Sequence, residues 1–410
     1  MIANSRMYFT PVGQPADLQV VQRYFQENYW LEQLARREDR AIWLYPYDRP
    51  HCYLITSLEP YLDLYRATGA RKYLDAALGG WELYHDQWEH IGGTIAIIED
   101  PDQPYPPKSY TLHGAATGHH TDTGELCGSV FWVFFNQRFH LLYPDQEKYV
   151  NEIEKEIYNV AIADQVGSQG LRYIARLVGH KDPDPRYRSH GICINTCCEG
   201  QGTRLLGSLP EHIYSLAEDG LYVNLFAAST IAWPAGGQAM KLTMATQFPY
   251  APDVKMTVAV PKPAKAKIRV RVPAWAAQAM PILVNGAPAA TGQPGAYVTL
   301  SRRWSDGDTI AFTLPMGFKL TRYEGSERNP AHERFALEYG PLLMAVVGGQ
   351  QESVLAMHPE KLIAQLRPKA GRPLHFTLAG DDRHEYLPYW QVQDEVFTCF
   401  PVIGPAEVME

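Results

Sequence analysis

The sequence predicts a multidomain protein: a helical region of α/α-barrel type, complete or truncated, followed by antiparallel β-sandwich domains. Two observations carry this reading. Up to about residue 220 the apolar residues recur at helical spacing, and beyond Gly220 they alternate with period two. The helical segments pair through irregular loops, while the later strands are short and closely spaced, as in a sandwich. The divisions that follow are 1–220 helical, 221–348 β-sandwich and 349–410 a C-terminal β segment.

Each element has its own signal. Asp17 to Arg36 places Leu18, Val21, Tyr24 and Phe25 on one face, with Asp17 as cap. Cys52 to Ala67 repeats the pattern, kinks at Pro60 and stops at Thr68-Gly69. Arg71 to His90 follows. Pro101 to Thr123 is too rich in Pro, Gly and His for either period. Glu125 to Leu142 is apolar nearly all round, which predicts a buried helix. Glu147 to Ala163 and Gly200 to Ala217 complete the set, the last broken or restarted at Pro210. Among the strands, Leu221–Phe226, Lys241–Phe248, Val254–Val260 and Lys267–Val272 alternate polar with apolar residues. Val284-Asn285-Gly286 carries a hairpin-turn signal, and Arg334 to Val347 reads as a strand pair around Gly340-Pro341.

Composition narrows the function classes. A net charge of -8 with no basic tract argues against a surface that tracks nucleic-acid phosphates. No apolar run is long enough to span a bilayer, and the first residues lack a charged-then-apolar leader. Six cysteines in 410 residues are too few for a disulfide scaffold, so the expected compartment is the reducing cytoplasm. Aromatic residues at 12% suit either sugar stacking or ordinary packing.

Chemistry concentrates in two short motifs. Cys197-Cys198 is a vicinal pair before Glu199-Gly200-Gln201-Gly202, and Gly124-Glu125-Leu126-Cys127 lies about 70 residues upstream. Three thiols and a carboxylate supply four ligands, the number tetrahedral zinc takes. The glycines mark a turn into a helix, where the dipole favours a thiolate. The plain alternative is a capping carboxylate and buried thiols. Cys193 is a spare thiol that reads more simply as core.

These motifs carry a family resemblance. Glu125-Leu126-Cys127, Cys197-Cys198, Leu205-Leu206-Gly207-Ser208-Leu209 and Asp219-Gly220-Leu221-Tyr222-Val223-Asn224-Leu225 resemble glycoside hydrolase family 127, the β-L-arabinofuranosidases and their relatives. So do Val270-Arg271-Val272-Pro273-Ala274-Trp275, Trp304-Ser305-Asp306-Gly307-Asp308 and the stretch Tyr389 to Thr398, in the same order along residues 45 to 405. The resemblance implies an (α/α)6 barrel with β-sandwich domains after it, and zinc on Glu125, Cys127, Cys197 and Cys198, with Cys197 as the nucleophile of a retaining mechanism acting on an L-arabinofuranoside-like glycan. It implies an acid/base carboxylate after Gly92-Gly93, which makes Glu99 the candidate and Asp100 the fallback. His51, His119, His120 and His190 are candidates for holding sugar hydroxyls.

Two departures set further expectations. Glu199-Gly200-Gln201-Gly202 replaces a proline-containing segment of the family, which points to a different sugar. A helical region of about 220 residues is short for twelve barrel helices. Either the sequence is a fragment lacking the N-terminal half of the barrel, or the barrel is incomplete; an incomplete barrel predicts a partner, a second copy or a chain supplying the missing helices. The same shortness admits another function class, a catalytically inactive zinc-stabilised carbohydrate-binding or scaffold protein. A thiol redox protein is the third and weakest reading.

Overall fold

The computed structural model describes residues 28–38, 41, 52–93, 95, 124, 126–166, 170–181, 197–324, 333–349 and 354–404. Among these, six α-helices occupy the N-terminal half: α1 (Asn28–Ala35), α2 (Cys52–Thr68), α3 (Arg71–Leu83), α4 (Leu126–Leu142), α5 (Lys148–Glu156) and α6 (Cys197–Ser208). The helical region is followed by mostly antiparallel β domains, as the change of period predicts; Gly220–Val223 runs parallel to Ala264–Val272 and Val354–Ala356 parallel to Val402–Gly404. Pro60 sits inside α2, as the sequence indicates. Two predicted helices end differently. Both α3 and α5 widen into π-turns, Tyr84–Trp88 and Ile157–Ala161.

The last predicted helix is corrected. It starts at Cys197 and includes Gly200 and Gly202, so these glycines do not mark a turn. It stops at Ser208, where Pro210 stands in a 3-10 turn, because proline has no N–H to continue the ladder. Tyr214–Ala217, read as helix, is a strand paired with Gly220–Val223. Gly220 sits at φ +156, and a Cβ there would lie 1.8 Å from the Lys267 carbonyl oxygen. Only glycine lets the neighbouring strand approach that closely.

The β region forms two bodies. In the first, a four-stranded sheet (Ala296–Trp304, Ala264–Val272, Gly220–Val223, Tyr214–Ala217) packs on a six-stranded sheet that runs from Ser229–Ala235 at one edge to Ala287–Gly292 at the other. Leu221, Val223, Ile268 and Val270 of one sheet share a core with Met240, Leu242, Met256 and Ile310 of the other. In the second, Phe318–Arg322, Phe335–Tyr339 and Leu342–Val347 hydrogen-bond into the same eight-stranded sheet as Phe376–Leu378 and Asp381–Pro388, so this sheet runs across residue 348. One more helix, α7 (Pro359–Gln365), lies in this part with Leu362 buried.

Charged groups lock the helical region to the first β body. The Arg271 guanidinium is fully buried, 2.7 Å from Glu147 and 2.9 Å from Glu154 of α5. Trp275 donates its indole N–H to Glu154 at 2.7 Å. The segment Val270–Trp275 thus holds the sandwich against α5. The second β body joins the helical core directly: Leu343, Ala345, Tyr389 and Phe397 pack with Trp132, Val160 and Leu177. Among the described residues no helix is long and apolar enough to cross a membrane.

Candidate functional site

Two helix starts face each other. Helix α4 begins at Leu126, with Leu126 and Cys127 fully buried. The chain entering it is pinned on both sides of residue 125. Gly124 accepts from the Ala175 N–H at 2.9 Å, and the Leu126 N–H donates to the Tyr173 carbonyl at 3.0 Å. Helix α6 begins with the cysteine pair, and its Arg204 guanidinium stacks on Phe134 of α4, 3.8 Å from the ring centre. In turn Arg138 ties α4 to Glu59 of α2 at 2.9 Å.

The three thiols converge. The sulfurs of Cys127, Cys197 and Cys198 all lie within 4.8 Å of one another, and Cys127 and Cys198 are 3.2 Å apart. That separation is too long for a disulfide of about 2.05 Å. Ligands about 2.3 Å from one zinc stand roughly 3.8 Å apart at the tetrahedral angle. The donor set therefore fits a soft, thiolate-preferring ion. Burial divides the three: Cys127 and Cys198 are sealed in the core, while Cys197 is exposed.

Gly202 sets this geometry, and the sequence reading missed it. A Cβ at Gly202 would fall 2.4 Å from Leu171 and 2.8 Å from Leu126, the neighbour of Cys127. At Gly200 a Cβ meets nothing within 4 Å. We expect Gly202→Ala to cost about 1–3 kcal/mol by overpacking and to weaken metal retention. Gly200→Ala, in a helix interior, should instead gain up to about 1 kcal/mol. Thermal melts and metal content of the two variants separate the outcomes; equal behaviour would contradict this packing role.

Glu156 is a second residue that the sequence conceals. Its carboxyl is fully buried beside Ser129 of α4, and a Cβ on Gly93 would stand 3.2 Å from it. It thus lies under the Gly92-Gly93 turn. Burial, only partly offset by Lys155, raises its pKa to about 8. A raised carboxyl pKa contributes stability below pH 4.5 that is lost as pH rises through about 8. Glu156→Gln has no such loss. Its melting temperature should match the parent near pH 5 and exceed it increasingly toward pH 8, by at most about 4–5 kcal/mol of stability. A difference that stays flat with pH would refute this.

A further group of possible ligands exists but already holds a cation. His85, Glu89 and Glu152 present atoms within 4.8 Å of one another. The Lys155 ammonium lies 2.9 Å from Glu89 and 2.6 Å from Glu152. Burial and the adjacent Glu152 push Glu89 well up, while Lys155 overcomes the burial of Glu152 and draws it down to about 2.

Of the other predicted site residues, His51, Glu99, Asp100, His119, His120, Glu125, His190 and Cys193 lie outside the described residues.

Fold and site together define a class: a helical domain bearing a cysteine-rich ligand cluster, with β-sandwich bodies appended. Known proteins place it further. Residues 24–211 match the family profile described as "Beta-L-arabinofuranosidase, GH127 catalytic domain", and residues 220–316 match "Beta-L-arabinofuranosidase, GH127 middle domain". The chain belongs to glycoside hydrolase family 127. A non-reducing end β-L-arabinofuranosidase of Bifidobacterium longum subsp. longum is 29% identical over 235 residues, 54% of this chain and 35% of that protein. The chain thus spans about a third of this curated relative. Among solved structures, a protein titled "Glycoside hydrolase" aligns with a TM-score of 0.68 at 16% identity, over 95% of this chain and 74% of its own. A GH127 β-L-arabinofuranosidase from Geobacillus stearothermophilus T6 aligns at 0.66 with 17% identity, over 95% and 71%. At this identity the structural likeness speaks to fold.

Proposed function

We propose that the protein is a zinc-dependent retaining glycoside hydrolase acting on β-L-arabinofuranosides or a closely similar sugar. The supporting observation is the division of exposure within the thiol cluster. Two thiols are buried as ligands must be, and one meets solvent as a nucleophile must. Cys127, Cys197 and Cys198 would hold zinc, with Glu125 as the fourth ligand. Zinc, when bound, keeps the thiols deprotonated at neutral pH.

Cys197 attacks the anomeric carbon, and the carbon–sulfur bond forms as the glycosidic bond breaks. Glu99, with Asp100 as fallback, gives its proton to the departing oxygen. It then takes a proton from the water that displaces the thiolate, so configuration is retained. His51, His120 and His190 are proposed to bind sugar hydroxyls. The proposed substrate is a carbohydrate, the proposed compartment the reducing cytoplasm, and the proposed partner a second copy or another chain packed on the helical region.

One other reading is a zinc-stabilised carbohydrate-binding or scaffold protein without turnover. Metal analysis beside hydrolysis of an aryl β-L-arabinofuranoside distinguishes them. Bound zinc with chelator-sensitive turnover is the expected result. Zinc and glycan binding without turnover would support the second reading, and absence of both zinc and turnover would overturn the proposal.

A further inference from the structure

A cavity of about 380 Å3 opens on the second β body. It is separate from the thiol cluster in that neither α4 nor α6 contributes to its lining. Its volume falls within the range of small-ligand sites, roughly 300–1,000 Å3. Tyr250, from a turn of the first β body, forms one wall and is 56% exposed as a residue. Such a large exposed aromatic is conspicuous, because Tyr normally buries its ring.

The polar lining is held rigid. His375 bridges the Glu385 carboxylate and the Gln391 amide oxygen, the latter at 2.5 Å. Lys369 reaches Glu385 at 2.5 Å and Arg372 lies 3.4 Å from it. Glu395 accepts from the Gln393 N–H at 2.7 Å. A network fixed in this way loses little entropy on binding.

The chemistry selects a ligand class. Guanidinium, amide and carboxylate are planar groups that can pair with neighbouring hydroxyls, and an exposed ring offers a face for the C–H side of a sugar. Two carboxylates among the lining groups disfavour an anionic ligand.

We propose that this cavity is a subsite for a neutral saccharide, distinct from the thiol centre. The ligand class rests on the cavity's own chemistry; only its use in anchoring substrate rests on the function proposed above.

The test is affinity electrophoresis of the full chain through native gels containing soluble arabinan or galactomannan. At least one polysaccharide should retard the protein. Tyr250→Ala and Arg372→Ala should each weaken that retention about tenfold, as expected for losing a stacking or charged contact. Both side chains are exposed, so the variants should fold, and hydrolysis of a small aryl glycoside should be unchanged. Retention should survive Cys197→Ser. No retention in either gel, retention equal in the variants and the parent, or retention lost on Cys197→Ser would each overturn the proposal. A protein that is retained but hydrolyses no aryl glycoside would count against the hydrolase reading while supporting the subsite.

Discussion

Cys197→Ser should lower turnover of an aryl β-L-arabinofuranoside about a thousandfold or more while leaving the fold intact. On the proposed mechanism Cys197 is the covalent nucleophile, and removing it abolishes the intermediate through which both steps pass, so the loss falls on kcat as well as kcat/KM. Exposure makes the fold safe, since the side chain fills no core space. Cys198→Ser should behave differently. It places a hydroxyl in a fully buried position, 3.2 Å from the Cys127 sulfur, where a poorer zinc ligand results. Zinc should be lost and the melting temperature should drop with it. Comparing metal content, melting and turnover for the two variants checks the division of labour. If Cys197→Ser keeps full activity, the nucleophile is elsewhere.

Arg271→Met should destabilise the protein by about 3–5 kcal/mol, the range for removing one partner from a buried ion pair. The guanidinium meets both Glu147 and Glu154 and donates to the Asn224 carbonyl at 3.2 Å. Its charge is raised in preference despite burial, because the two carboxylates outweigh desolvation. Methionine fills similar space but leaves two carboxyls facing each other without a counter-charge. Adding Glu147→Gln and Glu154→Gln should therefore recover much of the loss. Urea unfolding measures both steps. An Arg271→Met variant with an unchanged midpoint would show that the lock contributes nothing.

The sequence made the thiol cluster visible because cysteine is rare and its spacing is local. Cys197-Cys198 and Cys127 could be grouped without knowing where any helix points. The switch from helix to strand was equally plain, since periods of 3.6 and 2 differ over a few residues. What stayed hidden depended on contacts across the chain. Gly202 looked like a turn glycine, and only the approach of Leu126 and Leu171 gives it a packing purpose. Glu156 looked like one polar residue among Glu152, Glu154 and Lys155 on a helix, and its burial beneath Gly93 has no local signature. At Tyr214–Ala217 pairing with Gly220–Val223 overrides a weak helical pattern.

The strand Val178–Gly179 has a consequence for how the molecule comes into being. It pairs with Phe397–Thr398, the Cys399 N–H donates to the Leu177 carbonyl at 2.8 Å, and Tyr389 donates to the Arg176 carbonyl. During synthesis more than two hundred residues separate these partners. The helical region must therefore wait on the ribosome with one flank open until the far end of the chain arrives. Such late closure makes for slow assembly, because distant pairings carry a heavy entropic delay. Protection during that interval would fall to whatever shields nascent chains in the cell.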